Sequence, residues 1–261
     1  MKKIQKNKSK STIIIQARTN SSRLPRKVLS KIQSKPLIWH VINRVKKIKN
    51  VEQIILATST NPSDRSLVKI AEKENILTFT GSEKDVLDRY YKTSLKFNAD
   101  PIIRITGDCP LIDPKLITKM LDFFQHEKYD FMSNNINPTF PDGLDASIFS
   151  FNALEQAWKK SNLQSEREHV VPYILKNKKC FKIFSYENSK NLSNYRWTVD
   201  EKNDLNFIRR IYYLMKPKTI FYTNDILTVI KQNPKLLAIN SSISRDEGYA
   251  KSLKNDRKLN F

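Results

Sequence analysis

Glycine is scarce in this chain: four among 261 residues, and none between Ile13 and Leu29, where an apolar run empties into a basic loop. That shortage excludes a G-x-x-x-x-G-K-[ST] phosphate cradle, and no G-x-G-x-x-G turn occurs anywhere. Cysteine is scarcer still. Cys109 and Cys180 have no Cys or His close by in sequence, so neither a disulfide framework nor a zinc site is signalled. No run of about 18 apolar residues exists, so no membrane span is expected. The first twelve residues, rich in Lys and Ser, lack the apolar stretch of a signal peptide. Residues 1–11 read as a disordered basic lead-in, and a reduced, cytoplasmic protein fits best. No Ser-His-Asp grouping or Cys nucleophile stands out, which argues against covalent catalysis.

Acidic residues are absent from the first fifty positions, which hold fifteen Lys or Arg; the whole chain carries +21, leaving +6 for the remainder. Such a balance points to an anionic partner. Nucleic acid is a poor fit, because the charge is neither interleaved with aromatics nor set on a recognisable motif. Lys46, Lys47 and Lys49 lie at the end of a predicted helix, where cations suit the macrodipole. No specific nucleic-acid partner is expected.

What the chain does have is alternation. Ile13–Ile15 are β-branched and favour a strand. Pro36 to Ile48 repeats its apolar residues at helical spacing behind a first-turn proline. Further strands are expected at 54–57, 76–79 and 101–105, with helices from about 63 to 74, 83 to 97 and 113 to 124. This order implies βαβ units: an α/β fold with a mainly parallel sheet covered on both faces. Past residue 127 the pattern loosens. Strands are expected near 129–132, 146–149 and 181–186, helices at 151–160, 165–176, 203–214 and 224–232, and R-W-T-V-D (196–200) reads as a strand ending in an acid. One domain over 12–235 is expected, with an insertion near 134–150 and a polar C-terminal tail, 236–261.

In such sheets ligands bind beyond the carboxyl ends of the strands. Four polar segments collect there: 18–27, 58–62, 80–85 and 106–110. Arg18 and Arg23 can clamp phosphate oxygens bidentately, Lys27 adds a point charge, and Ser21 and Ser22 add hydroxyls. The same loop is also compatible with a solvated basic turn. Asp108 follows a buried strand and suits a metal–phosphate complex, since Mg²⁺ needs only one or two carboxylates beside substrate oxygens and water. A turn-forming Asp in T-G-D-C-P is the plainer alternative. Asp200 could complete a two-carboxylate site or cap the helix that follows. Asp113, before Pro114, reads as an N-cap. His169 has no His at i+4 and is expected to hydrogen-bond or touch substrate rather than bind metal.

Seven ordered segments then become recognisable. Q-A-R-T-N-S-S-R-L-P-R-K-V-L (16–29) resembles the signature Q-A-R-x-G-S-x-R-L-P-G-K of sugar-activating cytidylyltransferases, which include the acylneuraminate and 3-deoxy-manno-octulosonate enzymes. Closer still are their spore-coat polysaccharide biosynthesis relatives. With these the chain shares A-T-S-T-N-P-S-D (57–64), G-S-E-K-D-V-L-D-R-Y (81–90), R-I-T-G-D-C-P-L-I-D-P (104–114), P-D-G-L-D (141–145), S-E-R-E-H-V (165–170) and R-W-T-V-D (196–200). The resemblance covers about 12–215.

It implies a Rossmann-like nucleotidyltransferase fold and the reaction of CTP with a sugar, an acidic keto-sugar by family analogy, to give a CMP-sugar and pyrophosphate for surface polysaccharide. Gln16, Ala17, Arg18, Ser22, Arg23, Lys27, Ala57, Thr58, Ser82 and Asp108 would then contact the nucleotide, with Arg18, Lys27 and Asp108 catalytic. Asp108 and Asp200 would bind Mg²⁺. Gly143, Leu144, Asp145, Glu166, Arg167, His169 and Arg196 would face the sugar. Related enzymes are often dimers joined through the late insertion, which leaves a homodimer open. Family glycines are replaced by Asn20 and Arg26. Asn tolerates a left-handed backbone; Arg does so at about 1–2 kcal/mol. Two other functions remain in play: a nucleotide-sugar glycosyltransferase, although Asp108-Cys109-Pro110 is not its usual D-x-D, and a non-catalytic basic binding protein.

Overall fold

The computed structural model describes residues 10–243, 245 and 247–259. Most of the expected lead-in therefore lies outside the described residues, but its last two, Lys10 and Ser11, already belong to the first strand. In chain order the strands are β1 (Lys10–Gln16), the short hairpin β2 (Lys31–Ile32) and β3 (Lys35–Pro36), β4 (Gln53–Ser59), β5 (Leu77–Gly81), β6 (Ala99–Thr106), β7 (Phe131–Ser133), β8 (Ser147–Phe149) and β9 (Ile183–Ser185). The helices are α1 (Leu37–Val45), α2 (Arg65–Lys73), α3 (Val86–Phe97), α4 (Pro114–Glu127), α5 (Phe151–Lys160), α6 (Gln164–His169), α7 (Pro172–Lys176), α8 (Lys202–Leu214), α9 (Thr223–Gln232) and α10 (Glu247–Lys254). None is long and apolar enough to cross a membrane.

Seven strands form one sheet in the order β5-β4-β1-β6-β8-β7-β9. The pairs β5–β4, β4–β1, β1–β6 and β7–β9 are parallel; β8 alone runs antiparallel to its neighbours β6 and β7. The α/β class with a mainly parallel mixed sheet is as expected. Strand alternation divides the core: Ile13, Ile15, Leu56, Ile103 and Ile105 face one layer, and Ile14, Ala57 and Ile102 face the other. The first layer is covered by α1, α2, α4 and α8, the second by α3, α5 and α7. With both faces buried, the middle of a central strand must be apolar on both sides, as Ile13–Ile15 of β1 are.

Three segments depart from expectation. Residues 196–200 form bends rather than a strand, with a single parallel bridge between Asp142 and Arg196. Arg196 to Val199 are all buried, Trp197 and Val199 wholly so. The helix expected over 165–176 breaks into α6 and α7, because Val170 takes φ 74° and Pro172 lacks the N–H needed to continue. The polar tail folds back: the amide of Gln164 donates to the Arg257 carbonyl at 2.9 Å and that of Leu259 to Asn162 at 2.7 Å, seating α10 against α6.

Candidate active site

Beyond the carboxyl ends of β1 and β6 lies a cavity of about 680 Å³. Its floor is where those strands approach most closely. The Gly107 amide donates to the Gln16 carbonyl at 2.8 Å, and a Cβ on Gly107 would stand 2.7 Å from that of Ala17. Only glycine allows that approach. The loop from Ala17 to Lys27 forms one wall, α3 and α6 another, and Ser252 and Asn255 at the end of the chain a third. Gln16 Oε1 is buried there without a partner among the described residues, an acceptor that a ligand N–H can satisfy.

Asp64 holds the loop in place from the start of α2. Its carboxylate accepts from the Thr19 amide and hydroxyl at 2.7 and 2.6 Å, and from the Thr58 and Ser59 hydroxyls at 2.9 and 2.6 Å. Burial would raise its pKa, but these donors outweigh that and lower it. The ends of β1 and β4 are thereby tied together, and Arg18 and Arg23 project from a fixed base. Arg18 lines the cavity, and among the described residues it donates only through a long 3.4 Å contact with the Glu83 carbonyl.

Lys27, on the one-turn 3₁₀ helix Lys27–Leu29, is 8% exposed, and its Nζ lies 2.7 Å from both Asp108 Oδ2 and Asp200 Oδ1. Burial would raise the Asp108 carboxyl, yet the Lys27 ammonium overrides it and holds the group down at about 2. The two carboxylates in turn outweigh burial on Lys27 and raise it. Asp200 also meets Arg23 at 2.8 Å and Arg196 at 3.2 Å. It caps no helix, because Asp204 takes the amides of Asp200 and Glu201 at 3.0 Å each. Two carboxylates from distant parts of the chain thus converge on one positive centre. That donor set suits a Mg²⁺ ion completed by phosphate and water oxygens; no cluster of three or more His, Cys, Asp or Glu side chains that could hold a metal occurs among the described residues.

A second cavity of about 380 Å³ adjoins the first, sharing Arg23, Arg104, Thr106, Asp108, His169 and Asp200. Its far side carries Asn135, Asp142, Asp145 and Arg196. Arg196 is saturated, donating to Asp142 at 2.8 Å and Asp204 at 2.9 Å in addition to Asp200. Burial and the neighbouring Asp142 push Asp145 up to about 7 against the pull of Arg245, which pairs with it at 2.6 Å. Gly143 sets this wall: at φ 103° its absent Cβ would lie 2.4 Å from the Thr198 amide. His169 borders both cavities, its Nε2 3.0 Å from Ser252 Oγ and its ring edge-on to Tyr249.

A family model described as cytidylyltransferase matches residues 12–237. The chain belongs to the cytidylyltransferase family. It is a nucleotidyltransferase. It is 30% identical over 230 residues to the spore coat polysaccharide biosynthesis protein SpsF of Bacillus subtilis, spanning 85% of this chain and 94% of that one. Among solved structures, a cytidylyltransferase from Leptospira borgpetersenii superposes with TM-score 0.86 at 34% identity, covering 91% of this chain and all of the other. A CMP:2-keto-3-deoxy-manno-octonic acid synthetase complexed with CTP shares the fold, with TM-score 0.63, 19% identity and coverage of 79% and 99%.

In this cytidylyltransferase, Gln16, Ala17, Arg18, Ser22, Arg23, Lys27, Asp108, Asp200 and His169 line the first cavity, and Asp145 and Arg196 the second. Other expected site residues are placed elsewhere. Ala57 is in the core, and the Thr58 hydroxyl is spent on Asp64. Ser82 Oγ accepts the Asp85 amide at 3.0 Å. Leu144 is wholly buried, Gly143 packs on Trp197 and Thr198, Glu166 pairs with Lys176, and Arg167 clasps Asp85 through Nε and Nη2. Arg89, Arg104, Tyr249, Ser252 and Asn255, which sequence reasoning passed over, also line the cavities. Of the two replaced glycines, Asn20 is not left-handed and donates to Glu83 at 3.1 Å, whereas Arg26 is, at φ 58° and ψ 23°. Its amide closes the loop onto the Thr19 carbonyl at 2.9 Å, and its side chain is exposed outside the cavity lining.

Proposed function

We propose that this cytidylyltransferase joins CTP to an acidic keto-sugar, releasing pyrophosphate and a CMP-sugar for surface polysaccharide assembly in the cytoplasm. The observation that carries this is the pairing of two adjoining cavities across Asp108 and Asp200, one walled by a cationic loop and one by sugar-suited polar groups. The likeness to SpsF supports the polysaccharide role, and the CTP complex of a fold relative supports the nucleotide.

In the proposed reaction a sugar hydroxyl attacks the α-phosphorus of CTP, the bond to the β-phosphate breaks, and the electron pair leaves with pyrophosphate. Such transfers depend on positioning and charge neutralisation more than on covalent help. Arg18 and Arg23 hold the triphosphate and offset charge growing on the leaving group. Lys27 keeps Asp108 ionised and holds both acidic side chains at the cavity. Asp108 and Asp200 would hold Mg²⁺, which supplies charge neutralisation at the phosphates. Asp64 keeps the loop from yielding as the nucleotide binds.

The test is pyrophosphate release in Mg²⁺ with each of the four ribonucleoside triphosphates and a panel of keto-acid sugars. Release with CTP alone among the nucleotides supports the proposal. Release with a different nucleotide, or with none, overturns it.

A further inference from the structure

Of the two arginines that line both cavities, Arg23 has an acidic partner among the described residues and Arg104 does not. Lys27 is held by Asp108 and Asp200, Arg23 by Asp200, and Arg196 by Asp142, Asp200 and Asp204. Arg104 is different. It projects from β6 on the face opposite Ile103 and Ile105, lines both cavities, and makes no hydrogen bond or ion pair among the described residues. Its Nε is buried with no partner. The Tyr90 hydroxyl donates to the Ile14 carbonyl at 3.3 Å. A guanidinium left half-buried and unpaired is costly, and a ligand anion would relieve that cost.

We infer that Arg104 binds an anionic group carried by the acceptor at or beside its attacking atom, and so selects anionic sugars over neutral ones. This rests on the proposed function and adds to it the residue that reads the acceptor's charge. The position decides the chemistry. The triphosphate already meets Arg18, Arg23 and Lys27 on its own side, whereas Arg104 stands where donor and acceptor must touch. Bringing an anionic acceptor against a triphosphate is repulsive, and a cation shared between them offsets both charges at once. Two acceptor types place an anion there. In a 2-keto sugar acid the carboxylate shares a carbon with the attacking hydroxyl; in a sugar 1-phosphate the phosphate oxygen itself attacks. A neutral hexose offers nothing to Arg104.

Three probes separate these cases: 3-deoxy-manno-octulosonate, a hexose 1-phosphate and the neutral hexose, each assayed with CTP and Mg²⁺ for pyrophosphate. One anionic probe should be used far better than the hexose, and which one identifies the anion as carboxylate or phosphate. In Arg104→Gln the KM for that probe should rise by about thirty- to a hundredfold, the loss expected for a charge-assisted bidentate contact, while the KM for CTP stays within about threefold. Arg104→Lys should recover part of the acceptor affinity, and CTP binding measured by calorimetry reports that both variants are folded. No preference for either anionic probe, an unchanged acceptor KM in Arg104→Gln, or an equal rise in the KM for CTP overturns the inference. Wild-type protein that binds no CTP overturns the proposed function first; normal CTP binding with any of those results overturns this inference alone.

Discussion

Replacing Asp108 with Asn keeps the side chain's size and removes its charge, so it isolates what the ion pair with Lys27 contributes. The carboxyl is held at about 2, against 3.8 when unperturbed. At about 1.4 kcal/mol per unit, that difference corresponds to about 2 kcal/mol of folding stability. The sign follows from a depressed folded-state value. The contribution is complete above pH 3.8 and disappears as pH falls towards 2. Urea denaturation at pH 7 should therefore find Asp108→Asn less stable by about 2 kcal/mol, equivalent to about 4–8 °C in Tm for a chain of this size. The gap between wild type and variant should narrow when both are measured at pH 4 and then pH 3. Turnover should be lost while the circular dichroism spectrum is retained. A variant as stable as wild type at pH 7, or a deficit that is the same at pH 3, would refute the coupling of Asp108 to Lys27.

Three further outcomes are expected. Arg26→Gly relieves a left-handed arginine at the expense of some unfolded-state entropy, so Tm should rise by about 1–3 °C; a fall would mean the Arg26 side chain makes a stabilising contact. Gly143→Ala drives a Cβ to 2.4 Å from the Thr198 amide at a backbone angle alanine rarely adopts, and denaturation should register a loss of about 3 kcal/mol or more together with lost activity, since Asp200 lies two residues on. Asp256→Ala removes the acceptor for the Ser165 amide and hydroxyl at 2.9 and 2.6 Å; faster hydrogen exchange across α10 should accompany a several-fold rise in substrate KM.

Much of this architecture is visible in the chain because buried parallel strands leave strong local signatures. Ile13–Ile15 and Ile102–Ile105 sit where the apolar runs place them, and Asp113 caps α4 as Asp-Pro predicts, accepting the Lys115 amide at 2.9 Å. Strand order and the reversal of β8 are not visible, since three residues, Ser147–Phe149, carry no directional information. Arg196–Asp200 shows why sequence pattern alone misleads: Arg196 to Val199 are all buried, in a turn clamped by Arg196 rather than in a ladder. Arg104 was hidden as one charge within an apolar run, and its importance depends on the absence of a partner, which only three dimensions reveal. The third wall of the first cavity comes from Ser252 and Asn255, and Tyr249 lines the second; all three lie beyond the span of the family model, on or just after a short polar helix with no distinctive pattern.

The central claim is that the cationic loop and the two acids facing it form a nucleotide site. A crystal structure of the wild-type protein with CTP and Mg²⁺ tests that directly. The triphosphate should lie within hydrogen-bond distance of Arg18, Arg23 and Lys27, with Asp108 and Asp200 on the metal. CTP bound elsewhere, or held without contact to that loop, would contradict it.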